Sequence, residues 1–175
     1  MCRTGEMHIR ANFRGMLLSE FTINCLPVGK GELAITPIPG RAAPDGLAWQ
    51  RLIGWRPTLV ISMTEQTELD RSGMASLGAD LAQHKIAWMH APVPDLGTPD
   101  GLDWPLLRDH ALGQLASGGR VLVHCFAGCG RSGMMVLRLM IAAGEAPEEA
   151  LERLRNVRPC AVETDQQMAW AQLGY

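Results

Sequence analysis

The sequence predicts an α/β fold with a central, mainly parallel twisted sheet flanked by helices. Short apolar runs alternate along the chain with longer segments of helical spacing, and this alternation is typical of parallel sheets whose strands are joined through helices. A loop of small residues, 124–133, connects one apolar run to a long apolar helix. Open α/β sheets bind ligands at the carboxyl ends of their strands, so we expect the functional site at this loop.

The N-terminal third predicts a hairpin and one helix. Residues 1–20 carry little pattern and are expected to form a leader, ahead of a single catalytic domain over 21–175. Residues 21–26 alternate as a strand does, and a turn at 27–31 leads to a partner strand at 33–36. After a loop rich in proline and glycine, Asp45 is expected to cap a helix that runs through Ile53.

The rest of the chain alternates strands with helices. The predicted strands are 58–62, 86–90 and 120–123, each a short apolar run. The predicted helices are 72–83, one capped by Asp103 and ended at Gly118-Gly119, 132–143, 147–157, and one capped by Thr164 that ends at Leu173. Helix 132–143 is apolar on almost every side, so it should lie buried in the core.

Composition excludes several classes of function. The chain has 175 residues, 47% of them hydrophobic, and a net charge of −2, which predicts neither a nucleic-acid partner nor an anionic membrane surface. The longest apolar stretch, 134–143, contains Arg138 and is too short to span a bilayer. Five scattered cysteines do not indicate a secreted disulfide framework. We therefore expect a cytoplasmic protein.

The stretch from His124 to Gly133 has the features of an anion-binding loop. A buried strand enters it and a helix leaves it, so its backbone N–H groups gather at a helix N-terminus. Arg131 adds a charged fork that suits two phosphate oxygens, and Cys125 lies at the floor, where positive surroundings favour a thiolate nucleophile. The amides predicted to hold phosphate are those of Phe126, Ala127, Gly128, Cys129, Gly130 and Arg131.

The pattern Cys-x5-Arg-Ser with a preceding His resembles the signature loop of the cysteine-dependent protein tyrosine phosphatases. Residues 91–100, Ala-Pro-Val-Pro-Asp-Leu-Gly-Thr-Pro-Asp, resemble the general-acid loop of the kinase-associated dual-specificity branch. The resemblance implies that the loop joins a central strand to a helix. It also implies hydrolysis through a cysteinyl-phosphate intermediate, with no metal and no cofactor.

The resemblance also assigns roles to four further residues. Asp95 matches the general acid, and Pro94 and Gly97 suit a stiff entry and a hinge for its loop. The resemblance gives His124 the role of holding the loop and favouring the thiolate. Ser132 assists departure of the thiolate when the intermediate breaks down. A late glutamine positions the attacking water, and the spacing favours Gln167 over Gln166.

Each of these residues has a plainer alternative. Cys125 could be a structural thiol, Arg131 a salt-bridge residue and Ser132 only a helix cap. Gln167 could be an ordinary exposed helical residue. Asp100 and Asp103 lie in contexts that suit a turn and a helix cap rather than acid catalysis.

The cysteines and histidines suggest two further roles, a metal site and a redox pair. His124, Cys125 and Cys129 lie close in sequence, but a zinc site needs about four ligands and no second pair completes the set, so no metal is expected. An oxidised Cys125 could be trapped by a neighbouring thiol, either Cys129 or Cys160. The alternative is that Cys129 is only a small apolar loop residue.

The expected substrate is a phosphorylated protein, with phosphotyrosine against phosphoserine or phosphothreonine left open. The variable loop positions Phe126, Ala127 and Cys129 carry no lysine, which disfavours the lipid phosphatases that resemble this chain in the loop. The alternatives are a phosphopeptide-binding module with little turnover and a phosphatase for a non-protein phosphate ester.

Overall fold

The computed structural model describes residues 21–41 and 46–173. The expected leader at 1–20 and the helix cap predicted at Asp45 lie outside the described residues. The elements below therefore refer to the two described ranges.

A five-stranded sheet in the order β1-β2-β5-β3-β4 forms the centre of the molecule. Its strands are β1 (Asn24–Val28), β2 (Gly31–Pro37), β3 (Leu59–Ser62), β4 (Ala87–His90) and β5 (Arg120–Cys125). The hairpin of β1 and β2 is antiparallel, whereas β2, β5, β3 and β4 pair in parallel. The predicted mainly parallel sheet is thus confirmed.

Helices cover both faces of this sheet. The helices are α1 (Leu47–Trp55), α2 (Gln66–Arg71), α3 (Leu77–Gln83), α4 (Trp104–Ala116), α5 (Gly130–Ala142), α6 (Pro147–Val157) and α7 (Asp165–Ala171), with a 3-10 turn at Pro39–Arg41. Apolar side chains of α4 to α7 pack on one face, and those of α1 to α3 pack on the other.

β5 lies at the middle of the sheet and carries core side chains on both faces. Val121 and Val123 belong to the core under α5, and Leu122 belongs to the core under α1 to α3. Almost all of α5 is buried, as its sequence predicts. The junction of β5 and α5 is therefore held rigidly by packing from both layers.

Several boundaries differ from those predicted, most of them by one or two residues. The helix expected over 72–83 begins only at Leu77, as α3, because Gly73 turns the chain with φ +69°. A helix that was not predicted, α2, lies before this turn and ends at Arg71. The first strand starts at Asn24 and runs through Pro27, so the turn is shorter than expected, with Gly29 at φ +58°. β5 continues to Cys125, two residues past its predicted end.

No helix in the described part of the chain combines the length and the apolar composition that a membrane crossing requires.

Candidate active site

The junction between β5 and α5 places Cys125 at the bottom of a tight loop. The side chain is almost fully buried. The Gly128 N–H donates to Cys125 Sγ at 3.2 Å, and Ser132 Oγ lies 3.2 Å from the same sulfur. The Gly128 N–H and the Ser132 hydroxyl thus both lie within hydrogen-bonding distance of the Cys125 sulfur.

Gly128 allows the loop to turn directly against β2. Its φ is +72°, and a Cβ built there would lie 2.5 Å from the backbone nitrogen of Pro37. Any other side chain would require the backbone of β2 to move.

Arg131 lies above the loop in a network that fixes its fork. Its Nη1 donates to Glu68 Oε2 at 2.6 Å and to the Val93 carbonyl at 2.9 Å, and its Nη2 donates to Glu68 Oε1 at 2.9 Å. Arg131 therefore does form a salt bridge, with Glu68, as the plainer alternative for this residue predicts. Because Glu68 holds the guanidinium from behind, the pair orients the fork rather than competing with an anion-binding role.

The charges in this network hold each other ionised. Burial alone would raise the pKa of Glu68, but hydrogen bonds from Arg131 and from the Glu65 backbone, together with the charges of Arg131 and Arg71, lower it below its ordinary value. Burial likewise opposes the charge of Arg131, but Glu68, Cys125 and Asp95 raise its pKa. Arg131 is thus a permanent cation at the site.

His124 is fully buried and holds the start of the loop through a hydrogen-bond chain. Trp88 Nε1 donates to Ser62 Oγ at 2.8 Å, and Ser62 Oγ lies 2.6 Å from His124 Nε2. With Nε2 accepting from the Ser62 hydroxyl, Nδ1 carries the proton and faces the Cys125 carbonyl at 3.4 Å. Burial lowers the pKa of His124 to about 4. The ring is therefore neutral at pH 7 and acts on the loop through its position rather than its charge.

Asp95 meets Arg131 from the open side of the site. Its Oδ1 lies 3.2 Å from Arg131 Nη2, although the side chain is 78% exposed. The next residue, Leu96, has φ +60°, a left-handed backbone conformation that is uncommon for residues other than glycine. Asp103 instead caps α4 by accepting the Leu106 N–H at 3.0 Å, as predicted. Asp95 is therefore the aspartate of this segment that contacts Arg131.

Gln167 lies inside the site, and Gln166 is exposed. The Gln167 amide accepts the Glu163 N–H at 3.0 Å and donates to the Gly97 carbonyl at 3.3 Å. A Cβ at Gly130 would lie 2.7 Å from Gln167 Oε1. The alternative of an ordinary exposed glutamine is therefore wrong for Gln167. Its side chain lies between Gly97, in the segment 91–100 that contains Asp95, and Gly130, in the loop 124–133 (the phosphate loop).

Arg158 is a site residue that sequence analysis missed. Its Nε donates to the Gly128 carbonyl and its Nη2 to the Ala127 carbonyl, both at 2.8 Å. Holding these carbonyls outside the loop fixes the orientation of the peptide units that carry its N–H groups.

Glu163 is another residue that the sequence did not predict. Its Oε2 accepts the Gly130 N–H at 2.8 Å. The Gly130 amide was predicted to hold phosphate, but in this structure it is bonded to a carboxylate. The carboxylate is directed there by Val162, whose φ is +64°, and by Arg155, which donates to the Ala161 and Val162 carbonyls at 3.2 Å.

Cys129 and Cys160 form a disulfide, which links the phosphate loop to the segment that carries Glu163 and Gln167. Cys129 is therefore more than a small apolar loop residue. While the bond is intact, neither sulfur is a thiol that could trap an oxidised Cys125. Within the two described ranges, no three His, Cys, Asp or Glu side chains are grouped so as to hold a metal ion.

Comparison with known proteins agrees with this geometry. A family model described as protein-tyrosine phosphatase matches residues 80–173, which contain Asp95, the loop and Gln167. The chain is 35% identical over 79 residues to cyclin-dependent kinase inhibitor 3 of Rattus norvegicus, a match that covers 43% of this chain and 37% of that protein. The match thus spans about a third of this curated relative.

Solved structures share the fold. Kinase associated phosphatase, crystallised with its catalytic-site cysteine replaced by serine, has a TM-score of 0.76 at 22% identity and covers 88% of this chain and 93% of that one. Tk-PTP in its active form has a TM-score of 0.60 at 27% identity, covering 79% and 87%. Because the family model spans more than half of the sequence, the chain belongs to the protein-tyrosine phosphatase family.

Proposed function

We propose that this chain hydrolyses phosphate monoesters of phosphorylated proteins through a cysteinyl-phosphate intermediate. One observation carries the proposal: the Cys125 sulfur receives the Gly128 N–H and lies beside the Ser132 hydroxyl, below an Arg131 fork that also contacts Asp95. This arrangement unites a nucleophile, an anion site and an acid within one small space.

In the first displacement, the phosphate dianion binds to the loop amides and to Arg131. Its oxygens take the position on Arg131 Nη2 that Asp95 occupies in this structure, which releases the carboxyl group toward the substrate. The Cys125 thiolate attacks phosphorus, the bond from phosphorus to the ester oxygen breaks, and Asp95 gives its proton to that oxygen. Arg131 and the amides stabilise the charge of the transferring group.

In the second displacement, water attacks the phosphorus of the thiophosphate. The Asp95 carboxylate, now a base, takes the proton of that water, and Gln167 positions its oxygen. The sulfur–phosphorus bond breaks, and the Ser132 hydroxyl donates a hydrogen bond to the departing thiolate. Inorganic phosphate and the starting thiolate result.

A protein substrate is supported by the relative named cyclin-dependent kinase inhibitor 3 and by the fold shared with kinase associated phosphatase. We propose phosphotyrosine as a substrate, with phosphoserine and phosphothreonine as further candidates, and a cytoplasmic location. A binding module without turnover is disfavoured because Cys125, Arg131 and Asp95 are all present and grouped.

The decisive experiment is release of p-nitrophenolate from p-nitrophenyl phosphate. The wild-type protein should turn over, whereas Cys125→Ser should bind vanadate without turnover because a hydroxyl at this position is a far weaker nucleophile. Cys25→Ser is the matched control, since Cys25 lies in β1. Vanadate binding without turnover by the wild-type protein would support the binding-module alternative instead.

A further inference from the structure

Two arginines from separate elements bring their guanidinium groups to one aromatic ring of the phosphate loop. Cζ of Arg41, in the 3-10 turn, lies 5.2 Å from the ring centroid of Phe126, and Cζ of Arg71, at the end of α2, lies 4.8 Å from it. Because Phe126 directly follows Cys125, both cations lie at the rim of the loop.

Arg71 also lies close to Arg131. Arg71 Nη2 lies 3.4 Å and Arg131 Nη2 lies 2.9 Å from the same carboxylate oxygen, Glu68 Oε1. The distance between the two nitrogens is therefore at most the sum of these two distances. Arg131 engages both Glu68 oxygens, whereas Arg71 makes one long contact and its side chain is 62% exposed. The Arg71 guanidinium is therefore exposed and only weakly paired, so it can bind an anionic ligand.

Arg41 adds a second cation with little local compensation. It is exposed, and no carboxylate within 21–41 or 46–173 forms an ion pair with it. Burial lowers the pKa of Arg158, the neighbouring Cys125 sulfur opposes this, and the nearby charge of Arg41 adds to the lowering. Like charges gathered at one rim of a chain whose net charge is −2 form a local field that attracts anions.

Resting on the phosphatase function proposed above, we propose that Arg41 and Arg71 form a second anion subsite. It would bind a carboxylate or a second phosphate that lies one or two residues from the phosphorylated residue of a protein substrate. Successive residues of an extended peptide are roughly 3.3–3.6 Å apart. A side chain one or two residues from the phosphorylated residue can therefore reach Arg71, because Arg71 and Arg131 contact the same oxygen of Glu68. Planar guanidinium groups suit both anions.

The surroundings of the subsite favour a peptide over a lipid. Among the described residues, the large apolar side chains that are exposed are Leu47, Leu96, Leu106 and Leu173. None of the four belongs to the 3-10 turn, to α2 or to the loop 124–133, so these elements present no exposed large apolar side chain of the kind that a membrane interface uses.

The test compares kcat/KM for three phosphopeptides of one sequence: neutral residues beside the phosphoresidue, glutamates at those positions, or a second phosphoresidue. The wild-type enzyme should prefer the anionic peptides by roughly 10-fold, and Arg41→Ala or Arg71→Ala should each reduce that preference about 3-fold. Arg71→Lys should retain part of it. Arg108→Ala, which removes an α4 arginine paired with Asp109, should leave the preference unchanged.

The outcomes separate the subsite from the catalytic function. Equal kcat/KM for all three peptides, with normal turnover of p-nitrophenyl phosphate, would overturn the subsite and leave the phosphatase intact. Absence of any turnover dependent on Cys125 would overturn the proposed function itself. A soluble short-chain phosphoinositide hydrolysed faster than any peptide, with the advantage lost in Arg71→Ala, would contradict the assignment to a protein substrate.

Discussion

At the scale of single residues, the geometry of the site depends on the two carboxylates that bind the Arg131 guanidinium. Glu68 binds it through two short hydrogen bonds in a buried position, and Asp95 contacts it from the exposed side. A buried ion pair orients well, and removing one partner leaves a costly unpaired charge. The exposed contact with Asp95 is weaker and can be exchanged for phosphate. The arrangement thus joins a buried support, Glu68, to an exposed carboxylate, Asp95, which the proposed mechanism uses as the acid.

The first prediction concerns Asp95 as the proposed general acid. Asp95→Asn should slow hydrolysis of phenyl phosphate by roughly 10²–10⁴-fold, because the departing phenolate then receives no proton. Esters with activated leaving groups should lose much less. A leaving-group series on Asp95→Asn and Asp100→Asn, side by side, measures the difference. If Asp100→Asn shows the steep leaving-group dependence instead, the acid has been assigned to the wrong carboxylate.

At the scale of elements, the segment between α6 and α7 ties the phosphate loop in place. Arg158 binds the Ala127 and Gly128 carbonyls, Glu163 binds the Gly130 N–H, and the disulfide from Cys129 ends in the same segment at Cys160. These contacts hold the outer side of the loop, while β2 holds its inner side. The geometry of the loop therefore depends on residues far along the chain.

The second prediction is that the disulfide stabilises the fold. Under non-reducing conditions, Cys160→Ser should unfold at a lower denaturant concentration than the wild type. The free energy of unfolding should fall by at most roughly 3–4 kcal/mol, the range for a crosslink across 31 residues. Reducing agent should destabilise the wild type and Cys25→Ser, and leave Cys160→Ser unchanged. Chemical denaturation with and without a phosphine reductant measures this. An unchanged wild-type midpoint after reduction would show that the link contributes nothing.

The elements near the nucleophile could be predicted because their signals are local. An apolar strand, a loop of small residues and a long apolar helix follow one another between residues 120 and 143. Glu68, Arg158 and Glu163 could not be predicted in this way. Their loop partners lie 63, 30 and 33 residues away, and tertiary packing alone brings them together. α2 was missed for a related reason: its sequence, Gln-Thr-Glu-Leu-Asp-Arg, contains one apolar residue and no helical period.

At the scale of the whole molecule, the sheet isolates one titratable group from water. His124 lies on β5 with a neighbouring strand on each side, and its ring is fully buried. The fold must keep this ring neutral, because charging it would place an unsolvated cation at the centre of the sheet. The stability of the entire protein is therefore linked to the protonation of one residue at the active site.

The third prediction follows from this linkage. The pKa of His124 is about 4 in the folded protein, against an ordinary value of 6.5. Between these two values the unfolded chain binds a proton that the folded protein does not, so stability falls as the pH falls. The contribution is fully present above pH 6.5 and should decrease by roughly 3 kcal/mol toward pH 4. The pKa of Glu68 is also lowered, so its contribution to stability is lost only when the pH falls below the ordinary carboxyl pKa of 4.5.

Urea denaturation at intervals from pH 7.5 to 4.5 measures this decrease. His110→Gln, which removes an exposed histidine from α4, should retain the slope, whereas His124→Gln should flatten it at a lower overall stability. Should His124→Gln fail to fold, the NMR titration of the His124 ring in the wild-type protein provides an independent measurement. A ring that titrates near pH 6.5 in the folded state would contradict the prediction, because no proton uptake would then distinguish the folded from the unfolded chain in this range.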